Sequence, residues 1–210
     1  MDILRSENGC PWDAQQTHQS LVKYLLEESH ELAEAIELGD RPNMREELGD
    51  VLLQVLFHTR IAQEHPTDPF GIQDVANDLA HKLRYRHPHV FGDTTVENAQ
   101  EVNANWEKLK GAEKQRDSIL DGIPLAQGAL ARTQKVISRA NRNELFVNAL
   151  ESVSENVDNK SDDEKIGFEL FELVRRSAQL GVDAEGALRQ ILNRVEGNVR
   201  SVETAHAEQP

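Results

Sequence analysis

The spacing of the apolar residues is the feature that most constrains the fold of this chain. Apolar side chains recur every three or four positions, as residues on one face of a helix do. The stretch that follows Thr17 shows this pattern with Leu21, Leu25, Leu32 and Ile36, which we expect on its buried side. Alternating β-branched runs joined by hairpin dipeptides are absent from the sequence. We therefore expect an all-α protein.

Capping and turn residues divide the chain into seven predicted helices. Thr17 and either Thr94 or Thr95 are good N-caps, whereas proline and glycine mark the turns. The predicted helices cover 18–39, 43–64, 72–86, 96–116, a stretch from about 125 to 142, 165–180 and 183–204. The polar stretch 152–163 is predicted to be a loose connection.

Composition excludes several functional classes. The 210 residues are 38% hydrophobic, and the apolar run around residues 51–57 is interrupted by Gln54, so we expect no membrane span. The N-terminal residues do not resemble a secretory signal, and the single cysteine, Cys10, rules out an internal disulfide; both favour a cytoplasmic protein. The net charge of −14 argues against nucleic-acid binding, because contacts to the phosphate backbone need clustered lysine and arginine.

Carboxylates occur at helical spacing on the first predicted helix. Glu28 and Glu31 are three residues apart, so their side chains share one helix face. By itself this pattern is more typical of a solvated acidic face.

The second predicted helix is more informative. Among residues 47–58, the side chains that are neither apolar nor glycine are Glu47, Asp50, Gln54 and His58, which form a single stripe. We expect the helix to be buried around most of its girth, although the stripe alone would also fit the wet side of an amphipathic helix. Two such helices joined by a short turn can supply four oxygen ligands, which suits Mg²⁺, with Mn²⁺ as a substitute, better than zinc.

Several motifs in the same order resemble the MazG family of all-α nucleoside triphosphate pyrophosphohydrolases, from residue 4 to about 142. The two-part acidic motif is Glu27-Glu28-x-x-Glu31 followed by Glu47-x-x-Asp50. The remaining matches are Gly9-Cys10-Pro11-Trp12-Asp13, Arg86-His87-Pro88-His89-Val90-Phe91 and Trp106-Glu107-x-x-Lys110.

The resemblance implies a reaction and a set of site residues. Mg²⁺ would be bound by Glu28, Glu31, Glu47 and Asp50, with Glu27 as a catalytic residue that orients water. The implied substrate-binding residues are Lys82, Arg86, Lys110 and Trp106, of which the three cations would also act in catalysis. A metal-activated water would attack the α-phosphorus of a nucleoside triphosphate and release a monophosphate and pyrophosphate. The resemblance also suggests nucleotide-pool sanitation.

Two alternatives to this function stay open. One is a pyrophosphohydrolase dedicated to a single nucleotide of the dUTP, phosphoribosyl-ATP or alarmone type. The other is a non-catalytic helical dimerisation module that keeps the acidic stripe as surface. Without the resemblance, Lys82 and Arg86 would fit an ordinary solvated pair, and Trp106 would fit a core residue.

A weak internal repeat suggests two domains. Residues 46–53 match residues 164–171 in their apolar framework, but Glu47 and Asp50 are replaced by Lys165 and Phe168. The first acidic motif corresponds to Glu151-Ser152-x-x-Glu155, in which a ligand position carries serine. We therefore predict a catalytic domain over 1–117 and a degenerate, structural repeat over 118–205.

Two paired helices leave an open groove, so we expect a homodimer to complete the four-helix bundle.

Overall fold

The computed structural model describes residues 1–114, 118–141 and 161–207, together with 146, 148 and 150. Within these residues the secondary structure is helical, which confirms the all-α prediction. The described helices are α1 (Pro11–Gln15), α2 (His18–Leu38), α3 (Arg41–Ala62), α4 (Ile72–Arg86), α5 (Pro88–Phe91), α6 (Ala99–Lys114), α7 (Ala129–Ala140), α8 (Asp162–Gln179) and α9 (Ala184–Ala207). None of them combines the length and the apolar character that a membrane crossing requires.

The chain divides into two compact units, residues 1–113 and 114–210. Unit 1 is built on the antiparallel hairpin of α2 and α3. Helix α2 starts at a capping box between Thr17 and Ser20 and ends at Gly39, whose φ of 69° lies in the left-handed region that favours glycine. Asp40 then caps α3 by accepting a hydrogen bond from the backbone N–H of Asn43. Both ends of α2 therefore agree with the sequence prediction.

The packing of the hairpin differs from the prediction at Ile36. Leu21 and Ala35 are each 1% exposed, whereas Ile36 is 55% exposed. Successive residues of a helix are turned by about 100°, so with Ala35 facing inward the next residue, Ile36, faces outward. The buried-side prediction was therefore right for Leu21 and wrong for Ile36.

Helix α3 presents its polar stripe inward. Glu47 and Gln54 are 8% and 5% exposed, while Leu48 and Leu52 are 52% and 53% exposed. The prediction that α3 is buried around most of its circumference is therefore wrong for a single chain, in which one side of the helix is exposed. Burial of polar side chains beside exposed leucines reverses the usual amphipathic pattern.

An N-terminal segment, residues 1–16, is fastened to the far end of this hairpin. Arg5 pairs with Glu64 (Nη2–Oε2, 2.9 Å) and donates from Nη1 to the backbone carbonyl of Asp13 at 2.6 Å. The ring of Trp12 makes edge contacts with Tyr24 and Phe57, with centroids 5.8 and 6.3 Å apart. The aromatic contacts and the ion pair together hold α1 against α2 and α3.

Several element boundaries differ from the prediction. Helix α6 begins at Ala99 rather than near Val96, because Asn98, and not Thr94 or Thr95, accepts a hydrogen bond from the backbone N–H of Glu101. Helix α8 begins at Asp162 rather than Lys165, because Ser161 and Glu164 form a capping box. The short helices α1 and α5 were not predicted, since five and four residues are too few for a visible period.

Unit 2 contains α7, α8 and α9 around a small apolar core. Ile137 and Val174 are 0% and 2% exposed. The side-chain amide of Gln134 accepts a hydrogen bond from the backbone N–H of Ala184 and donates one to the carbonyl of Val182. Most of the predicted loose connection, and with it Glu151, Ser152 and Glu155, lies outside the described residues.

Candidate active site

Three carboxylates from the two helices of the hairpin converge in its middle. Glu28 lies on α2, and Glu47 and Asp50 lie on α3; one oxygen of each is within 4.8 Å of the others. We call these three residues the acidic cluster. The i, i+3 spacing on α3 and the antiparallel packing of α2 are what bring them together. No other group of three such ligands occurs in the part of the chain that the structure describes.

The environment of the acidic cluster disfavours its negative charges. Burial and then the nearby charges of Glu31, Asp50 and Glu28 raise the pKa of Glu47. The pKa of Glu28 is also raised, by burial first and then by Asp50. Like charges at this separation repel one another unless a cation lies between them.

The cluster fits a divalent metal ion. The Oε2 atom of Glu47 is buried and has no hydrogen-bond partner among the described residues. A buried carboxylate oxygen without a partner is costly, and a bound cation would compensate for that cost. The donor atoms are all carboxylate oxygens, which are the ligands that magnesium and manganese prefer.

The other two glutamates of the motif lie at the edge of the cluster. Glu31 is exposed and is not one of the three converging residues, but its charge is the second cause of the raised pKa of Glu47. Glu27 is exposed, and its charge makes the smallest contribution to the raised pKa of Glu28. Their predicted roles as a ligand and a water-orienting residue stay predictions.

The predicted phosphate-binding residues of α4 occupy two different environments. Lys82 is exposed and lines an open cleft of about 580 Å³ together with Asp78, His81 and Tyr85. Arg86, one helical turn later, is 7% exposed. The residues of the acidic cluster are not among the described residues that line this cleft.

Trp106 and Lys110 lie together on α6. The Nζ atom of Lys110 is 5.9 Å from the centroid of the Trp106 ring, a cation–π distance, and Trp106 is 38% exposed. The exposure argues against the alternative that Trp106 is a core residue. The predicted roles of Trp106 and Lys110 in binding the substrate stay predictions.

Gln54 and His58 belong to the polar stripe of α3, and the sequence pattern predicted no role for them. Gln54 is buried, and its Oε1 atom has no hydrogen-bond partner among the described residues. The Nδ1 atoms of His58 and His18 are 2.8 Å apart, which requires one of the two rings to donate and the other to accept. Burial, and secondarily the charge of His18, lower the pKa of His58. The proximity of the two rings could have been predicted from the sequence, because two helices joined by a short turn run antiparallel and bring His18 opposite His58.

The comparisons with known proteins show the family to which the chain belongs. The family model for the MazG nucleotide pyrophosphohydrolase domain matches residues 16–91 of the sequence, which include the acidic cluster and the two cations of α4. The nucleoside triphosphate pyrophosphohydrolase of Escherichia coli strain K12 is 37% identical over 97% of this chain and 84% of its own length. The nucleoside triphosphate pyrophosphohydrolase/pyrophosphatase MazG of Thermotoga maritima is 39% identical over 90% of this chain and 77% of its own length.

A further relative, an uncharacterized 26.1 kDa protein of Streptomyces cacaoi, is 46% identical over 97% of this chain and 79% of its own length. The similarity therefore extends over both units and is not limited to the acidic motif. On this evidence the chain is a hydrolase and belongs to the MazG family of nucleotide pyrophosphohydrolases.

Proposed function

We propose that this chain hydrolyses nucleoside triphosphates to nucleoside monophosphates and pyrophosphate in a Mg²⁺-dependent reaction at the acidic cluster. The observation that carries the proposal is the convergence of Glu28, Glu47 and Asp50, with an oxygen of Glu47 buried and unpaired among the described residues. The activity for which the relatives from E. coli and T. maritima are named supports the same reaction.

In this proposal Glu28, Glu31, Glu47 and Asp50 hold Mg²⁺, with Mn²⁺ as a substitute. Glu31 is included because its charge already acts on Glu47 and a flexible exposed side chain can turn toward the cluster. When bound, a divalent cation supplies positive charge against the phosphates and acidifies water. The carboxylates would hold that cation on the inner side of the hairpin, where electrostatic interactions are screened less than in bulk water.

The remaining residues act on the substrate. Lys82, Arg86 and Lys110 balance the negative charge that develops on the phosphates and on the departing pyrophosphate. Trp106 shapes the nucleotide pocket, and Glu27 orients the attacking water. The water oxygen bonds to the α-phosphorus, the bond from that phosphorus to the α,β-bridging oxygen breaks, and pyrophosphate leaves with that oxygen.

The surface of unit 1 supports the proposal of a homodimer. Val22 and Leu26 on α2, and Leu48 and Leu52 on α3, are each about half exposed, although these helices are the core elements of the unit. Apolar surface of this kind is typical of an interface. A second copy packed there would complete a four-helix bundle and close the site against water.

Unit 2 is assigned a structural role. At the positions that correspond to Glu47 and Asp50 it has Lys165 and Phe168, which offer no carboxylate oxygen. No group of three metal ligands converges among its described residues. We therefore place the reaction in unit 1 alone.

The proposal is tested by incubating the protein with the eight common ribo- and deoxyribonucleoside triphosphates, with Mg²⁺ and with EDTA, in ¹⁸O-labelled water. We expect Mg²⁺-dependent release of pyrophosphate, with the label in the monophosphate because water attacks the α-phosphorus. Label in pyrophosphate would refute the proposed point of attack. Folded protein that cleaves none of the eight would refute general triphosphate hydrolysis and leave a dedicated nucleotide or a non-catalytic module.

A further inference from the structure

Gln54 lies next to the acidic cluster but is not part of it. It follows Asp50 by four residues on the inner face of α3, which corresponds to about 6 Å along the helix axis. The side chain is 95% buried, since its exposed fraction is 5%. Its Oε1 atom has no hydrogen-bond partner among the described residues. A buried amide oxygen in this state is destabilising, so a partner that pairs with it on binding gains that interaction.

The position of Gln54 indicates which part of a nucleotide it would meet. If the α-phosphate lies at the acidic cluster, the sugar is the next group on one side and the β-phosphate is the next group on the other. Aromatic side chains lie toward the Gln54 end of the hairpin, where Phe57 contacts Trp12 and Trp12 contacts Tyr24. The described cations at this end are already engaged, since Arg5 and Arg60 pair with Glu64 and Lys23 lies over the ring of Tyr24. An aromatic end of this kind suits a nucleoside, whereas pyrophosphate requires cations that are free to bind it.

We infer that the side-chain carbonyl of Gln54 accepts a hydrogen bond from a ribose hydroxyl of the nucleotide and makes Gln54 a specificity-determining residue for the sugar. This inference rests on the proposed function. The terminal amide torsion of glutamine is soft, so Oε1 can turn toward a bound sugar without moving the helix. Glutamine supplies the acceptor that a hydroxyl donor needs.

A buried water is the competing explanation for the unpaired oxygen. His58 lies one turn beyond Gln54, and its Nε2 atom also has no partner among the described residues. A water that bridges Oε1 of Gln54 and Nε2 of His58 would satisfy both atoms. With such a water, replacement of Gln54 would lower kcat/KM equally for every substrate. With a sugar contact, it would lower kcat/KM only for substrates that carry the contacted hydroxyl.

The test measures kcat/KM for four triphosphates of one base: the ribonucleotide and its 2′-deoxy, 3′-deoxy and 2′,3′-dideoxy forms. They are given to the wild type and to Gln54→Met, which keeps the side-chain length but removes the acceptor. We expect the wild type to lose roughly tenfold when the contacted hydroxyl is removed, as for one neutral hydrogen bond in a closed site. Gln54→Met should lose the same factor on substrates that carry this hydroxyl and nothing further on those that lack it. Whether the 2′- or the 3′-deoxy form shows the loss identifies the hydroxyl.

Gln19→Met, the same change at an exposed position of α2, is the matched control and should behave as the wild type does. Equal loss of Gln54→Met on all four substrates would overturn the inference in favour of a structural water. A wild type that cleaves all four equally well would overturn it without any variant, while leaving the proposed function intact. The base is one that the wild type cleaves among the eight common triphosphates, and a wild type that cleaves none of those eight overturns the proposed function and this inference with it. If circular dichroism shows that Gln54→Met is unfolded, Gln54→Asn is judged by the same criteria, because its shorter side chain withdraws the carbonyl from the sugar.

Discussion

Replacement of Phe57 by leucine tests how the N-terminal segment is attached to the hairpin. Phe57 is 3% exposed; Trp12 lies edge-on to it at 6.3 Å, and the guanidinium carbon of Arg5 lies 5.8 Å from its ring centroid. Leucine keeps most of the buried apolar area but removes both ring contacts. The aromatic pair contributes about 0.5–1.5 kcal/mol and the cation–π contact about 0.5–1 kcal/mol. We therefore expect the variant to be about 2 kcal/mol less stable.

Urea unfolding followed by tryptophan fluorescence measures this loss in unit 1 specifically. The chain has two tryptophans, Trp12 and Trp106, and both lie within residues 1–113. Phe70→Leu is the matched control, because Phe70 is 44% exposed and should change the free energy of unfolding by less than about 0.5 kcal/mol. If the two variants unfold at the same urea concentration, Phe57 does not hold the segment and the reasoning is wrong.

Three further predictions concern the charges and the surface of unit 1. Because the folded pKa of Glu28 is raised, its contribution to stability is full below about pH 4.5 and is lost as the pH rises through the folded pKa. Without metal, Glu28→Gln should therefore melt at a higher temperature than the wild type at pH 8 but not at pH 4. A difference in melting temperature that does not depend on pH would argue against charge repulsion in the acidic cluster. Lys82→Ala should lower kcat/KM about tenfold without changing the melting temperature, since Lys82 is exposed; unchanged kinetics would remove it from the phosphate site. The wild type should have the mass of a dimer by light scattering and Leu52→Asp that of a monomer, whereas a monomeric wild type would exclude the proposed interface.

The sequence predicted the α2–α3 hairpin well because strong local signals mark its ends. Thr17 is a clear N-cap of α2, and Gly39 clearly marks the C-terminal end of α2, where the turn of the hairpin begins. The start of α6 was misplaced because Thr94, Thr95 and Asn98 are all good N-caps within five residues, and only the fold selects Asn98. The face of a helix that is buried also depends on its partner, so the exposure of Ile36 could not be read from periodicity.

The candidate site was predicted in part. Spacing placed Glu47 and Asp50 on one face of α3, and the resemblance to the MazG family joined Glu28 to them; the structure brings the three together. The unpaired oxygen of Gln54 and the pairing of His18 with His58 depend on contacts across the hairpin. Such contacts are set by the register of two helices, which local spacing does not specify.

The most direct test of the acidic cluster as the catalytic centre compares pyrophosphate release by the wild type, Glu47→Gln and Glu46→Gln at saturating Mg²⁺. Glu46 precedes Glu47 on α3 but is exposed and lies outside the cluster, so Glu46→Gln controls for the loss of one charge. We expect Glu46→Gln to retain activity within about twofold and Glu47→Gln to lose at least about 100-fold, the order of loss found when a group that acts in the transition state is removed. Equal activity of the three folded proteins would contradict the account.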